Sequence, residues 1–231
     1  MTVINPPAAR AGSYLVGDLE LNRIGYGAMQ LAGPGVLGPP RDRAAAIEVL
    51  RTAVELGVNH IDTADAYGPY ITNEIIREAL FPYDGQVHIA TKVGVVRDEK
   101  GGWLAANSPE ALRAQVHDNL RRLGLDVLDI VNLRTLVGID DRATVTDTLV
   151  PQFEALAELQ GQGLIRHLGL STVSLDQLGA TTTAVAESWL LQHSPNLMLI
   201  PGTSSVDHLR ENIAGAALPL PPDAVAELDT I

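Results

Sequence analysis

Two stretches of the chain carry side chains able to transfer a proton or stabilise its loss: Ile61-Asp62-Thr63-Ala64-Asp65-Ala66-Tyr67-Gly68 and His88-Ile89-Ala90-Thr91-Lys92. Each opens as a short apolar strand and ends in polar groups. A lysine at the C-terminal end of such a strand is costly to hold there unless a partner or a function justifies it. The bland alternative is a Lys–Asp ion pair tying two strands together, with Tyr67 as ordinary loop packing.

The elements around these stretches alternate between strand and helix. A hairpin is expected over 14–16 and 20–22, then a strand in Ile24-Gly25-Tyr26-Gly27-Ala28-Met29. A helix over 43–56 sets Ile47, Leu50 and Val54 on one face and stops at Gly57. Strand 60–62, helix 72–79 and strand 87–92 follow. The next helix has the clearest signals: Ser108 to cap it, Pro109 in the first turn, Leu112, Val116 and Leu120 on one face, and Gly124 to end it. Strand 127–133, helix 151–160 and strand 165–170 complete the run.

Such alternation specifies an α/β protein with a parallel sheet. No Gly-x-Gly-x-x-Gly opens a helix after a strand, and Gly25 and Gly27 lie inside a strand, so a dinucleotide fingerprint is absent. Polar residues gather instead at successive strand ends: Asp62, Lys92, Asn132 with Arg134, and Ser171. A (β/α)8 TIM barrel builds its active site there, and a barrel is expected ahead of a doubly wound sheet.

Composition excludes several classes. With 231 residues and 46% hydrophobic content the chain can bury a full core, and residues 1–231 are read as one domain. Zero cysteines remove disulfide and thiolate chemistry and fit a reducing compartment. A net charge of −12 opposes nucleic-acid binding, which needs basic surface. No apolar run approaches the ~20 residues that span a bilayer, and no secretory signal opens the chain. The expectation is a cytoplasmic protein with neither nucleic-acid nor membrane partner; its oligomeric state is unspecified. The six histidines show no ligand spacing, so no metal is expected.

The motifs together resemble the aldo-keto reductases, from about Gly17 to Leu218. They are Gly25–Met29, Gly57-Val58-Asn59-His60-Ile61-Asp62-Thr63-Ala64-Asp65-Ala66-Tyr67-Gly68, Ala90-Thr91-Lys92, Gly163-Leu164-Ile165-Arg166-His167-Leu168-Gly169-Leu170-Ser171, and Ile200-Pro201-Gly202-Thr203-Ser204-Ser205. Asp129-Ile130-Val131-Asn132-Leu133-Arg134 further resembles the bacterial subgroup that reduces pyridoxal.

The resemblance implies reduction of an aldehyde or ketone by hydride from a nicotinamide, with Tyr67 as general acid. A free phenol titrates near ~10 and needs a cation to stabilise its phenolate. Lys92 would supply that charge and Asp62 would hold Lys92. Arg134 falls where the family usually has His; it stays protonated, so it can donate to a carbonyl oxygen without relaying a proton. Gly27, Ala28 and Met29 match cofactor-lining positions. Ser171 and Thr172 match the pair that holds the nicotinamide carboxamide, with Thr172 in place of Asn. Gly202, Thr203 and Ser204 would turn backbone N–H groups toward phosphate, while His208, Glu211 and Asn212 would surround the adenosine. Gly202 and His208 stand where the family often has Lys and Arg. NADPH is nevertheless the cofactor expected ahead of NADH. From its own position, Trp103 in a loop Gly101–Leu104 either shapes a small-molecule carbonyl pocket or covers apolar surface.

The resemblance also has an interruption, near Ala180–Thr181. The start of a fifth helix at 175–178 runs almost directly into Thr181-Thr182-Thr183-Ala184, where the family inserts a helix, two strands and another helix. Six barrel strands can be counted, the last at 198–201. About fifty residues are wanting, at roughly thirty per βα unit. Either the sequence joins segments across an omitted part or the chain lacks them. The former is favoured, because a six-stranded remnant exposes edges and loses core contacts. The missing part would contain the nicotinamide-stacking Tyr and the pyrophosphate loop. A non-catalytic nicotinamide-binding or regulatory module of the same fold is the competing function; the intact Asp62, Tyr67 and Lys92 oppose it.

Overall fold

The computed structural model describes residues 6–83, 85–136, 149–172, 203–207 and 209–210. Nine strands and four α-helices lie among them. They are β1 (Ser13–Val16), β2 (Leu19–Asn22), β3 (Tyr26–Gly27), β4 (His60–Asp62), β5 (His88–Val93), β6 (Val95–Arg97), β7 (Trp103–Ala105), β8 (Leu128–Arg134) and β9 (Ile165–Ser171). The helices are α1 (Arg43–Glu55), α2 (Ile71–Leu80), α3 (Pro109–Leu123) and α4 (Val150–Gly161).

Local chemistry sets the helix ends. Asp42 caps α1, its carboxylate accepting from Ala45 N at 2.9 Å, and Ser108 caps α3 by accepting from Ala111 N at 3.2 Å. Gly124 closes α3 in the left-handed region (φ 73), where its N–H donates to Leu120 O at 2.9 Å. The buried faces follow the helical period: Ala46, Val49, Leu50 and Ala53 on α1, and Leu112, Val116, Asn119 and Leu123 on α3.

Five strands form one parallel sheet in the order β3-β4-β5-β8-β9, the succession a barrel wall requires. Registers pair Asp62 with Ala90, Lys92 with Asn132 and Arg134 with Ser171, so polar residues of adjacent strands reach the same C-terminal rim. One core runs beneath, including Ile61, Ile89, Val131 and Leu133 of the strands and Leu50, Ile76, Leu112 and Leu156 of the helices, each fully buried. The β1–β2 hairpin covers the opposite, N-terminal end. Gly17 at its tip (φ +61) lies so close to the His167 ring that a Cβ would overlap it, so only glycine fits.

Two expectations change. The strand at 24–29 shrinks to Tyr26–Gly27, and Ala28–Leu31 winds into a 3₁₀ turn closed by Ala32 N to Met29 O at 3.3 Å. Trp103 lies on β7 of a second hairpin rather than in a loop; an Asp98-to-Gly102 turn joins β6 to β7, with the Asp98 carboxylate accepting from Lys100 N at 2.8 Å and Gly102 N at 2.7 Å. Five of the six expected sheet strands lie among the described residues. The expected strand at 198–201, the fifth helix start at 175–178 and the join at Ala180–Thr181 fall outside the described residues.

Candidate active site

Asp62 ends β4, Lys92 lies one residue from the end of β5, and Tyr67 occupies the loop between β4 and α2. The structure brings all three together. The Lys92 ammonium donates to Asp62 Oδ1 and, at 3.1 Å, to the Thr63 carbonyl. It also lies 5.5 Å from the centroid of the Tyr67 ring, within cation–π range. The Lys92 and Asp62 side chains are 10% and 15% exposed and Tyr67 is 4% exposed, so their charges act in a medium far less screening than water.

A buried polar network stands behind these residues. Thr63 donates to Asn73 Oδ1 at 2.8 Å and Thr91 to Asn119 Oδ1 at 2.6 Å, while Asn73 Nδ2 donates to Asn119 Oδ1 at 3.0 Å and Asp65 Oδ1 at 3.1 Å. Thr63 adjoins Asp62 and Thr91 adjoins Lys92, so the network fixes both strand ends against α2 and α3. Arg122 of α3 completes it, donating to Asp65 and stacking 3.7 Å from the centroid of the Tyr70 ring. Tyr70 takes a left-handed backbone (φ 71) and donates its N–H to Asp65 O at 2.7 Å. This clamps both sides of Tyr67. Burial pushes the Asp65 carboxyl up to about 6, outweighing the opposing pull of Arg122.

Arg134 ends β8 beside Lys92, and the two share a small cavity with Ala64, Ala66, Val93 and Val95. Its guanidinium carbon lies 5.1 Å from the centroid of the Trp103 ring, and Arg97 stacks on the same ring at 4.1 Å. Arg97 also donates to Gly101 O, Val36 O and Gly35 O, fastening the β6–β7 hairpin over the mouth. Two Arg134 nitrogens, Nε and Nη1, are buried without an acceptor among the described residues.

The candidate cofactor positions divide. Met29 and Ser204 line one groove with Gln30, Gly33, Gly35, Arg41 and the start of α1. Gly27 and Ala28 are buried and are not among the residues that line it. Tyr26 holds the Thr203 segment by donating its phenol to Thr203 O, and the Thr203 hydroxyl accepts from Ser205 N at 3.1 Å. Ser171 is half-buried at the rim. Thr172 differs from expectation: its hydroxyl is turned back, donating to Thr135 O at 2.7 Å, so only its acceptor capacity remains for a carboxamide. Gly202, His208, Glu211 and Asn212 fall outside the described residues. The groove offers small residues, the Arg41 guanidinium and Ser204, a lining chemically suited to phosphate oxygens. No group of three metal-ligating side chains occurs among the described residues.

Sequence reasoning did not single out Asn73, Asn119, Arg122, Arg97 or Arg41. Asn119 on the apolar face of α3 was the one available signal, a polar residue where the period calls for an apolar one.

A model of the aldo/keto reductase family matches residues 23–181 and again 176–231, two pieces that meet where the resemblance is interrupted. Pyridoxine 4-dehydrogenase of Escherichia coli is 44% identical, the match covering 96% of this chain and 98% of that protein. That alignment runs over 282 positions against 231 residues here, so dozens of positions face no residue of this chain. An uncharacterized oxidoreductase of Schizosaccharomyces pombe is 34% identical over 96% of this chain and 90% of its own length. Among solved structures, an aldo-keto reductase from Bacillus halodurans in its holo form superposes with TM-score 0.66 at 23% identity, covering 91% of this chain and 93% of that one. An aldo/keto reductase from Klebsiella pneumoniae, in complex with NADP and acetate, gives TM-score 0.67 at 18% identity with 91% of each chain covered. These likenesses show the fold, the (β/α)8 architecture in shortened form.

Proposed function

The chain belongs to the aldo/keto reductase family, and from that premise we propose that it reduces an aldehyde or ketone to an alcohol with NADPH, pyridoxal being the substrate of choice. The observation that carries this reading is the Lys92 ammonium, held by Asp62 and lying over the buried Tyr67 ring.

A reduced nicotinamide, when bound, supplies the hydride. Tyr67 donates its proton to the carbonyl oxygen as that oxygen gains charge. Lys92 is fixed by Asp62 and the Thr63 carbonyl and stabilises the negative charge left on the phenol. Arg134 donates a second hydrogen bond to the carbonyl oxygen and keeps its own proton throughout. Trp103 closes one wall of the pocket and orients Arg134. Gly27, Ala28 and Met29 underlie the cofactor, Ser171 holds its carboxamide with help from Thr172, and Thr203 and Ser204 with Gly202 meet phosphate. His208, Glu211 and Asn212 are assigned to the adenosine end.

The preference for NADPH over NADH draws support from the Klebsiella pneumoniae structure, which holds NADP. Pyridoxal draws support from the E. coli relative, named for the pyridoxine side of the same interconversion. No described helix is long and apolar enough to cross a membrane, and a cysteine-free chain fits the cytoplasm.

The test follows NADPH absorbance with pyridoxal for the wild type and Tyr67→Phe. Loss of a proton donor should lower kcat by about 10²–10⁴-fold while NADPH still binds. Turnover indifferent to the phenol contradicts the mechanism. Cofactor binding without turnover in either protein favours the non-catalytic module.

A further inference from the structure

Thr63, Asn73, Thr91 and Asn119 lie fully buried between the sheet and helices α2 and α3. Burial of such side chains is costly unless each finds a partner, and each does. Asn119 spends its Nδ2 on Gln115 O at 2.9 Å, which turns its Oδ1 toward Thr91 and Asn73. Asn73 is the hub. Its Nδ2 donates to Asn119 Oδ1 and Asp65 Oδ1, and its Oδ1 accepts from the Thr63 hydroxyl. A carboxylate in its place could not donate, and a serine hydroxyl has a single proton to give.

Two adjoining residues in the first turn of α2 hold the two partners of the proton transfer. Thr72 donates its N–H to Tyr67 O at 3.3 Å and so anchors the loop of the acid. Asn73, the next residue, holds the Thr63 hydroxyl, and the Thr63 carbonyl accepts from the Lys92 ammonium at 3.1 Å. The Thr63 N–H donates to Ala90 O at 2.8 Å, which fixes the same residue from the side of the sheet. Asn73 also reaches the carboxylate of Asp65, whose carbonyl accepts from Tyr70 N at 2.7 Å across the loop from Tyr67. Helical geometry sets the spacing of positions 72 and 73, and through them the spacing of phenol and ammonium. A network confined to filling the core would serve without reaching either group.

We propose that Asn73 is a positioning residue for the proton transfer: it ties the Thr63 carbonyl and the Asp65–Tyr70 turn to one side-chain amide, and so keeps the Lys92 ammonium over the Tyr67 ring. The assignment rests on the reductase reading and adds to it a fully buried residue that acts only through others. Asn119 supports Asn73 from α3 and, by accepting from the Thr91 hydroxyl at 2.6 Å, holds the strand residue next to Lys92.

The test is a double-mutant cycle on the full chain with NADPH and pyridoxal. Asn73→Leu should lower kcat by about 10²-fold, the scale of a misplaced catalytic group, with the Kd of NADPH and the KM of pyridoxal changed less than about threefold. In a Tyr67→Phe background the same substitution should cost less than about twofold, because the group it positions is gone. A purely structural role predicts an equal fall in both backgrounds, in proportion to the unfolded fraction. That result overturns the proposal, as does a kcat near wild type in the single variant.

Should Asn73→Leu fold poorly, Thr63→Val removes one hydroxyl at equal size. It should lower kcat about 10-fold, and only beside an intact Tyr67, while Thr63→Ser should recover most of the loss. A Thr63→Val protein without that loss overturns the proposal.

A second measurement needs no turnover. The chain has two lysines, Lys92 and the exposed Lys100, so isotope-labelled lysine gives two side-chain ammonium signals in a nuclear magnetic resonance spectrum. Held by Asp62 and Thr63, the Lys92 ammonium should exchange its protons more slowly than that of Lys100. Asn73→Leu, or Thr63→Val in its place, should speed that exchange by about tenfold or more. An unchanged Lys92 signal overturns the inference. Should the wild type reduce no carbonyl at all, the reductase reading fails by itself, and the spectrum still decides whether Asn73 fixes the ammonium.

Discussion

The strands β4, β5, β8 and β9 carry ionisable or polar residues at both ends, and the two ends treat them differently. At the N-terminal end, Arg166 bridges Asp129 at 2.9 Å and Asp18 at 2.6 Å, and His167 meets Asp18 at 2.7 Å. The His88 ring lies 3.4 Å from Asp129, whose carboxylate also accepts from Ile89 N at 3.1 Å. Burial pushes the Asp129 carboxyl up, but the hydrogen bonds of His88, Ile89 and Arg166 together hold it below the ordinary range. At the C-terminal end Lys92 is held yet lies over a phenol, and Arg134 meets no carboxylate among the described residues. Paired charge under a hairpin ties the end of a sheet shut. Charge left open to a cavity awaits a ligand. The same residue types thus serve structure or chemistry according to whether their partners come from the chain.

The sharpest way to break this contrast is Lys92→Met. It should cut kcat by at least about 10²-fold and leave Asp62 buried without its cation, lowering stability by about 3 kcal/mol as read by urea unfolding. A variant that keeps its turnover erases the distinction between the ends.

His60 sharpens it next. Burial, aided by the nearby His88, lowers its pKa to about 4, and both ring nitrogens lack a partner among the described residues. An unfolded chain protonates this ring near 6.5, so its contribution is complete above that pH and is lost as pH falls toward 4. The loss is roughly 3 kcal/mol. Asp65, raised to about 6, acts with the opposite sign: the folded state takes up a proton first, so acidification from 6 toward 3.8 favours folding there. In His60→Gln the acid limb of unfolding should flatten; an unchanged limb assigns acid sensitivity elsewhere.

A smaller effect is expected from Arg166→Met. That side chain is 37% exposed and its partner Asp18 67%, so solvent screening keeps the loss of stability small, with kcat unchanged. Melting curves and steady-state rates check both halves.

Legibility in the sequence followed the range of the interactions. The ends of α3 were readable because Ser108, Pro109 and Gly124 act within one turn of themselves. Asp62, Tyr67, Lys92 and Arg134 could be grouped because parallel strands bring every C-terminal end to one rim. The β6–β7 hairpin went unread because its strands are three residues each and its turn residues sit in a charged run, although Gly101-Gly102 between two short apolar segments was a usable sign. Arg122–Asp65 and Arg166–Asp18 were not readable at all. They join residues 57 and 148 positions apart, which no local pattern encodes. The shortening of β3 belongs with them, since Gly33 N to Gly38 O at 2.9 Å closes a loop only tertiary packing selects.

The contrast between the two ends is tested most directly by two matched substitutions, Asp62→Asn and Asp129→Asn, with kcat measured for each at saturating NADPH and pyridoxal. Both remove one carboxylate charge from a strand of the same sheet at equal size. The expected result is a fall of at least about 10²-fold for Asp62→Asn and a kcat within about twofold of wild type for Asp129→Asn, whose loss appears in the melting temperature instead. Equal losses of kcat, or the reverse order, would contradict the assignment of chemistry to the C-terminal rim.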